Sequence, residues 1–245
     1  MSASSSPTER VAIVTGAAGG IGRAVASRLE ADGWRVFGVD LRGGFEADLT
    51  TREGNRAAVD AALARFGRLD AIVANAGFQH VAPVVDFPED RWDALLALLL
   101  TSPFLLAKYG WEALRESGDG RFLAIASVHG LVASPFKAGY VAAKHGLLGL
   151  VKTLALEGAE AGISVSAICS SYVRTPLVEA QIADQAQAHG ISEERVLEDV
   201  IFAPQAVKRF IEPEEVADVA AFLLGPAGRN FAGAPVVMDL GWTAR

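Results

Sequence analysis

Apolar residues along this chain fall into short runs separated by longer stretches with helical periodicity. Residues 11–14 form one such run, which leads directly into a glycine-rich turn; Ile21, Ala24, Val25 and Leu29 then recur on one side of a helix. Further strand-length runs lie at 34–39, 45–49, 71–74, 122–126 and 234–238. A helix is predicted over 92–106, and another, rich in Ala and Leu, over 140–156. Glu212-Pro213-Glu214-Glu215 opens the last main helix with proline at its first position. The most apolar stretch, 94–107, contains Thr101, Ser102 and Pro103. It reads as too short to span a bilayer and as a helix buried on all sides. Alternation of strand and helix predicts an α/β domain, a parallel sheet with helices on both faces. Residues 176–208 carry Ala, Gln and acidic residues around Gly190, too many for a simple connection, and are expected to form a helical lid over a substrate. No repeat or linker divides 10–245. The polar, Ser-rich residues 1–9 lack the apolar core of a signal peptide and are expected to be a loose tail.

Composition narrows the picture. A length of 245 residues suits one α/β domain, and 51% hydrophobic with 21% charged residues argues against disorder. The net charge of −7, with no basic cluster, argues against nucleic acid as a partner. A lone Cys169 excludes an internal disulfide, offers no metal cluster, and is consistent with a reducing cytoplasmic compartment. Neither a metal nor a membrane is expected as a partner.

Candidate chemistry sits at the ends of the strands. The run 122–126 stops at Ser127, at a carboxyl end, where open α/β sheets hold their ligands. On the helix that follows, Tyr140 and Lys144 are four apart and share a face. A phenol with a pKa near ~10 is a poor acid or base at neutral pH, and a neighbouring ammonium lowers that pKa. Such a pair suits acid–base work on an alcohol or ketone, with Ser127 supplying a hydroxyl to the same oxygen. With three Tyr and five Lys, a Tyr-x-x-x-Lys match arises by chance at roughly 6%, so the pair needs support elsewhere. The turn Thr15-Gly16-Ala17-Ala18-Gly19-Gly20-Ile21-Gly22, between strand and helix, supplies it: backbone approaches a pyrophosphate and the helix N-terminus attracts its charge. Asp40, at the end of the next strand, can accept hydrogen bonds from ribose hydroxyls and repels a 2′-phosphate, which points to NAD over NADP; nearby Arg42 would favour the phosphate. Asp48-Leu49 closes the third run, where a carboxylate can meet the adenine amino group. The fourth leads into Asn75-Ala76-Gly77.

In this order the pieces resemble the short-chain dehydrogenase/reductase family, Rossmann-fold oxidoreductases that use NAD or NADP. The likeness covers residues 11–245 and rests on Thr15-Gly16-x-x-x-Gly20-x-Gly22, Asn75-Ala76-Gly77, Ser127 and Tyr140-x-x-x-Lys144. It implies a doubly wound parallel sheet of about seven strands. It makes Tyr140 the acid/base, Ser127 the group that orients the substrate oxygen, and Lys144 a ligand of the nicotinamide ribose. Gly16, Gly20, Ile21, Gly22, Asn75 and Gly77 would hold the cofactor, with Val173 and Thr175 at the carboxamide. Family members are commonly tetramers, so a homo-oligomer is expected, a dimer or tetramer built on helices 92–106 and 140–156. Three departures stand out: Ala74 replaces the first Asn of Asn-Asn-Ala-Gly, Leu99 replaces a catalytic Asn, and Ser170-Ser171 replaces Pro-Gly after the sixth strand. Pro103 removes the helical bond to the Leu99 carbonyl. That carbonyl is then free to hold a relay water in place of the Asn, or else Pro103 merely kinks a packed helix.

Within the family, four segments are similar to the bacterial D-3-hydroxybutyrate dehydrogenases: Gln79-His80-Val81-Ala82-Pro83, Ser127 through Ser134, Val173 through Glu179, and Gly241 through Arg245. By that resemblance Gln79, His129, Lys137 and Gln181 converge on a substrate carboxylate. Tyr172 stands where a Trp faces the substrate methyl, and Trp242 matches a second Trp. A small anion shut away from water needs a cation and several donors, which these residues can supply. The expected function is an NAD-dependent interconversion of a short 3-hydroxy acid and its 3-oxo acid. The alternatives are another secondary-alcohol or sugar dehydrogenase, or an NAD-binding protein impaired by Leu99.

Overall fold

Residues 9–244 are described by a computed structural model of the chain; of the expected tail, only Glu9 falls among them. The six apolar runs and Ile163–Ser170, which is not among them, pair into one parallel sheet of seven strands. These are β1 (Val11–Thr15), β2 (Arg35–Asp40), β3 (Phe45–Glu46), β4 (Ala71–Ala74), β5 (Gly120–Ile125), β6 (Ile163–Ser170) and β7 (Pro235–Met238). Their order across the sheet is β3-β2-β1-β4-β5-β6-β7. β1, β4 and β5 are buried along their whole length, because a central parallel strand is covered on both faces. β3 is shorter than predicted. Only Phe45 and Glu46 pair with β2, and the chain then turns at Asp48, whose carboxylate accepts from the Thr50 N–H and hydroxyl at 2.9 and 2.7 Å.

The described residues form eight α-helices: α1 (Gly20–Ala31), α2 (Arg52–Phe66), α3 (Glu89–Leu96), α4 (Ser102–Glu116), α5 (Ala138–Gly158), α6 (Pro176–His189), α7 (Glu193–Val196) and α8 (Pro213–Leu224). Alternate residues of β1 face opposite ways. Ala12 and Val14 pack with Val25 and Leu29 of α1 and Val216 and Ala220 of α8, whereas Val11 and Ile13 pack with Val59 of α2, Leu106 of α4 and Val151 of α5. The segment expected as a lid is helical over α6, α7 and a π turn at Leu197–Ile201. Val196 and Ile201 form a small core with Tyr172 and Phe210.

The apolar stretch at 94–107 differs from expectation in two ways. It belongs to a continuous helical stretch, Glu89–Glu116, in which a π turn at Ala97–Thr101 joins α3 to α4. That stretch is long and apolar enough to cross a membrane by length and composition, so shortness is no argument against a span. Nor is it buried on all sides: Leu95, Leu99, Leu105 and Leu106 face the core, while Phe104 is 42% exposed. The π turn, with the Ser102 N–H donating to the Ala97 carbonyl, ends just before Pro103, which has no N–H to continue a regular ladder.

The topology also positions the site. From β1 the chain winds to one side through β2 and β3, then returns to β4 on the other side. The resulting crevice opens at the carboxyl ends of β1 and β4.

Candidate active site

At that crevice the glycine-rich turn meets Asn75-Ala76-Gly77. Thr15 ties them together: its Oγ1 accepts the Asn75 and Ala76 N–H groups at 2.9 and 3.0 Å, and Asn75 Nδ2 donates to the Thr15 carbonyl at 2.8 Å. Gly16 and Gly20 have φ of +67° and +51°, which favour glycine. A Cβ on Gly22 would lie 2.1 Å from the Gly16 carbonyl oxygen. That clearance lets α1 approach the turn closely.

The crevice is a cleft of about 510 Å³. Gly16, Gly20, Ile21, Asp40, Asp48, Leu49, Asn75, Gly77, Val173 and Thr175 line it, together with Ser127, Tyr140 and Lys144. Gly19 gives α1 no side-chain cap, and its first turn carries no acid, which leaves free N–H groups and the positive helix end for an anion. A dinucleotide pyrophosphate fits that arrangement. Asp40 is pinned on the wall by the Ala18 and Leu41 N–H groups at 3.0 and 2.7 Å, whereas Arg42 does not line the cleft.

β5 delivers Ser127 to the cleft. Its Oγ accepts the His129 N–H at 3.1 Å, which leaves its own hydrogen to turn towards Tyr140. α5 sets Lys144 one turn beyond Tyr140, with Nζ 5.6 Å from the ring centroid and donating to the Ile125 carbonyl at 2.7 Å. The lowered Tyr140 pKa predicted from sequence is corrected here. Burial pushes it up, and the Ser127 bond only partly opposes that, because the ammonium is aimed at a backbone carbonyl. Lys144 is itself pushed down to about 8 by burial.

Beside the cleft lies a smaller cavity of about 70 Å³. Gln79, His129, Lys137, Tyr172, Gln181 and Trp242 all line it, and Ser127, Tyr140 and Ser171 border both spaces. Lys137 Nζ donates to the Tyr172 hydroxyl at 2.9 Å, and burial lowers its pKa to about 8. Tyr172 stacks on Trp242 with ring centroids 5.9 Å apart. Burial, helped by the Lys137 charge, drives His129 down to about 3, so it is neutral; its Nε2 pairs with Ser134 Oγ at 2.9 Å. Gln79 Oε1 accepts the His80 N–H, which leaves its amide donors free. Gln181 Nε2 donates back to the Leu177 carbonyl, keeping one N–H and the oxygen for a ligand.

Comparison with known proteins agrees with this geometry. The family model described as enoyl-(acyl carrier protein) reductase matches residues 16–243. A D-beta-hydroxybutyrate dehydrogenase of Rhizobium meliloti (strain 1021) is 42% identical, over 96% of this chain and 99% of its own. The chain belongs to the short-chain dehydrogenase/reductase family. An uncharacterized oxidoreductase, YxjF, of Bacillus subtilis (strain 168) is 40% identical over 97% of this chain and 99% of its own, and a D-beta-hydroxybutyrate dehydrogenase of Cupriavidus necator is 37% identical over 96% and 98%.

As a short-chain dehydrogenase/reductase it is an oxidoreductase of a family that works with nicotinamide cofactors on small molecules. Its departures from the family pattern are visible in place. The Leu99 side chain is buried among Leu95, Ala143 and Tyr140, and its Cδ2 would lie 2.9 Å from a Cβ on Gly77. Ser170 and Ser171 both line the cleft. Sequence reasoning passed over Ser134, the partner of His129, and Phe136, which adopts φ +66° directly before Lys137. The Phe136 carbonyl accepts the Ala82 N–H, and its ring meets His189 of α6 edge-on at 4.9 Å. Only tertiary contact marks either residue.

Proposed function

We propose that this enzyme uses NAD to interconvert D-3-hydroxybutyrate and acetoacetate, a short 3-hydroxy acid and its 3-oxo acid. One observation carries the reading: a small cavity beside Ser127 and Tyr140 has Lys137 as the one lysine or arginine among its lining residues. A carboxylate held there would be paired with Lys137 and offered the free amide donors of Gln79 and Gln181. The names of two of the relatives support the same substrate.

When bound, the nicotinamide supplies or accepts the hydride at the substrate's C3. Ser127 donates to the C3 oxygen and orients it. Tyr140 exchanges the proton with that oxygen; kept protonated by burial, it is ready to donate to the 3-oxo acid. Lys144 would reach the ribose hydroxyls by leaving or sharing its bond to the Ile125 carbonyl. Val173 and Thr175 would meet the carboxamide, and Asp40 the adenosine ribose, which favours NAD over NADP. Residues 10–245 act as one domain in this reading, and α6 and α7 close over the substrate, bringing Gln181 with them. Phe104 on α4 and Leu156 on α5 are exposed apolar residues, consistent with a homo-oligomer built on those helices.

The test is a substrate screen with NAD and with NADP, followed by NADH absorbance. D-3-Hydroxybutyrate should be oxidised with NAD, and Tyr140→Phe should abolish turnover while NADH binding persists. Turnover confined to uncharged alcohols or sugars would replace the acid reading. NADH binding without turnover of any alcohol would mark an impaired enzyme.

A further inference from the structure

Three stretches of chain supply the donors of the small cavity: the loop with Gln79, Lys137 just ahead of α5, and α6 with Gln181. All three meet at Phe136. Its carbonyl accepts the N–H of Ala82, in the Gln79 loop, at 2.9 Å. Its own peptide bond leads into Lys137, whose carbonyl accepts the Val141 N–H of α5 at 2.9 Å. Its ring meets His189, the last residue of α6, with centroids 4.9 Å apart and planes at 83°. Burial, helped by the Lys137 charge, holds His189 below its ordinary pKa, so the ring packed there is mostly neutral at pH 7. Phe136 keeps φ at +66°, a left-handed conformation that is costly for a bulky side chain and persists only where its surroundings impose it. Glycine would adopt it freely, so the turn by itself does not call for an aromatic residue. The contact with α6 does. That helix needs a hold, because its Gln185 amide is buried with no partner among the described residues at either atom, a cost borne in this position.

We propose that Phe136 and His189 are positioning residues of the anion site: their contact fixes α6 to the turn that carries Lys137, and so sets Gln79, Lys137 and Gln181 around one carboxylate. The proposal rests on the small cavity being the site of the substrate's acid group. Neither residue lines that cavity, so each acts through the donors it holds in place. An aromatic edge contact changes an affinity by about two- to tenfold. The loss should fall on KM for an acid, because charge-assisted hydrogen bonds depend on where their donors stand.

The experiment compares wild type with His189→Ala, His189→Phe, Phe136→Gly and the double variant Phe136→Gly/His189→Ala; glycine removes the ring and leaves the backbone conformation accessible. KM for acetoacetate should rise about three- to tenfold in His189→Ala and at least as much in Phe136→Gly, with kcat and the NADH dissociation constant within about twofold. The double variant should be no worse than Phe136→Gly, because both changes remove one contact. His189→Phe keeps a neutral ring and should return KM to within about twofold of wild type. Methyl acetoacetate, which has no charge to pair, should show little of the rise. An unchanged KM, equal rises for acid and ester, effects that multiply in the double variant, or no recovery with His189→Phe would each overturn the proposal. In the ligand-free protein, hydrogen exchange of the α6 amides should be about three- to tenfold faster in His189→Ala, with α5 unchanged. Unchanged exchange in α6 also overturns the proposal, and that measurement needs no substrate. Failure of the wild type to reduce acetoacetate refutes the functional reading instead, and is seen before any variant is compared.

Discussion

Replacing Lys137 with methionine tests the carboxylate anchor directly. Lys137 is 2% exposed, its ammonium donates to the neutral Tyr172 hydroxyl at 2.9 Å, and it shares its cavity with a neutral His129. With a pKa of about 8 it is mostly charged at pH 7. Methionine keeps most of the length and removes the charge. A hydrogen bond to a charged group contributes about 1.5–3 kcal/mol. At ~1.4 kcal/mol per decade, KM for D-3-hydroxybutyrate should rise between about tenfold and about a hundredfold. The carboxylate is remote from the reacting carbon, so the loss should fall mainly on KM and leave kcat little changed. The free protein should be no less stable, because a buried ammonium facing only a phenol is itself costly. Initial rates on the acid and on its uncharged methyl ester separate charge from shape. Equal rises in KM for acid and ester would refute the anchor.

Further outcomes follow from the same geometry. Because burial depresses Lys137, kcat/KM for the acid should fall as pH rises through about 8, while the ester, which needs no cation, falls less; parallel profiles would count against Lys137. Lys137 and Lys144 also titrate below their ordinary 10.5, so between about pH 8 and 10.5 the folded state binds fewer protons than the unfolded one. The two groups should therefore add stability as pH rises through that window, measurable as a higher denaturant midpoint. Asp40→Ala should relax the preference for NAD, read as the ratio of kcat/KM for the two cofactors; a wild type that prefers NADP would show Arg42 prevailing. Leu99→Asn puts an amide into the apolar cluster of Leu95, Ala143 and Tyr140 and should lower the melting temperature by several degrees. If Leu99 interrupts a proton relay, the same variant should show a smaller solvent isotope effect on kcat than the wild type.

Much of the fold was legible because its signals are local. Residues 11–14 and 71–74 read as buried strands because central parallel strands are covered on both faces. The pairing of Tyr140 with Lys144 follows from the pitch of one helix. Where a property depended on a remote neighbour, the local reading failed. Gly22 was legible as a motif glycine, but not that the Gly16 carbonyl leaves no room there for a Cβ. Tyr140 looked set for a lowered pKa by spacing alone, but the direction depends on where the Lys144 ammonium points, and it points to Ile125 on another element. The helix around 94–107 looked uniformly buried because composition does not say which of its faces meets α2, α5 and the sheet.

The sequence by itself determined the α/β architecture, the turn between β1 and α1, and the two residues of α5 that share a face, because period, glycine placement and four-residue spacing act within one element. Tertiary structure alone decided that Lys137 meets Tyr172, 35 positions away, and that Ser127, Tyr140 and Ser171 stand between two cavities. Those approaches follow from the order of strands across the sheet and from the path of the chain after β6, and no local pattern encodes the distance between side chains on different elements.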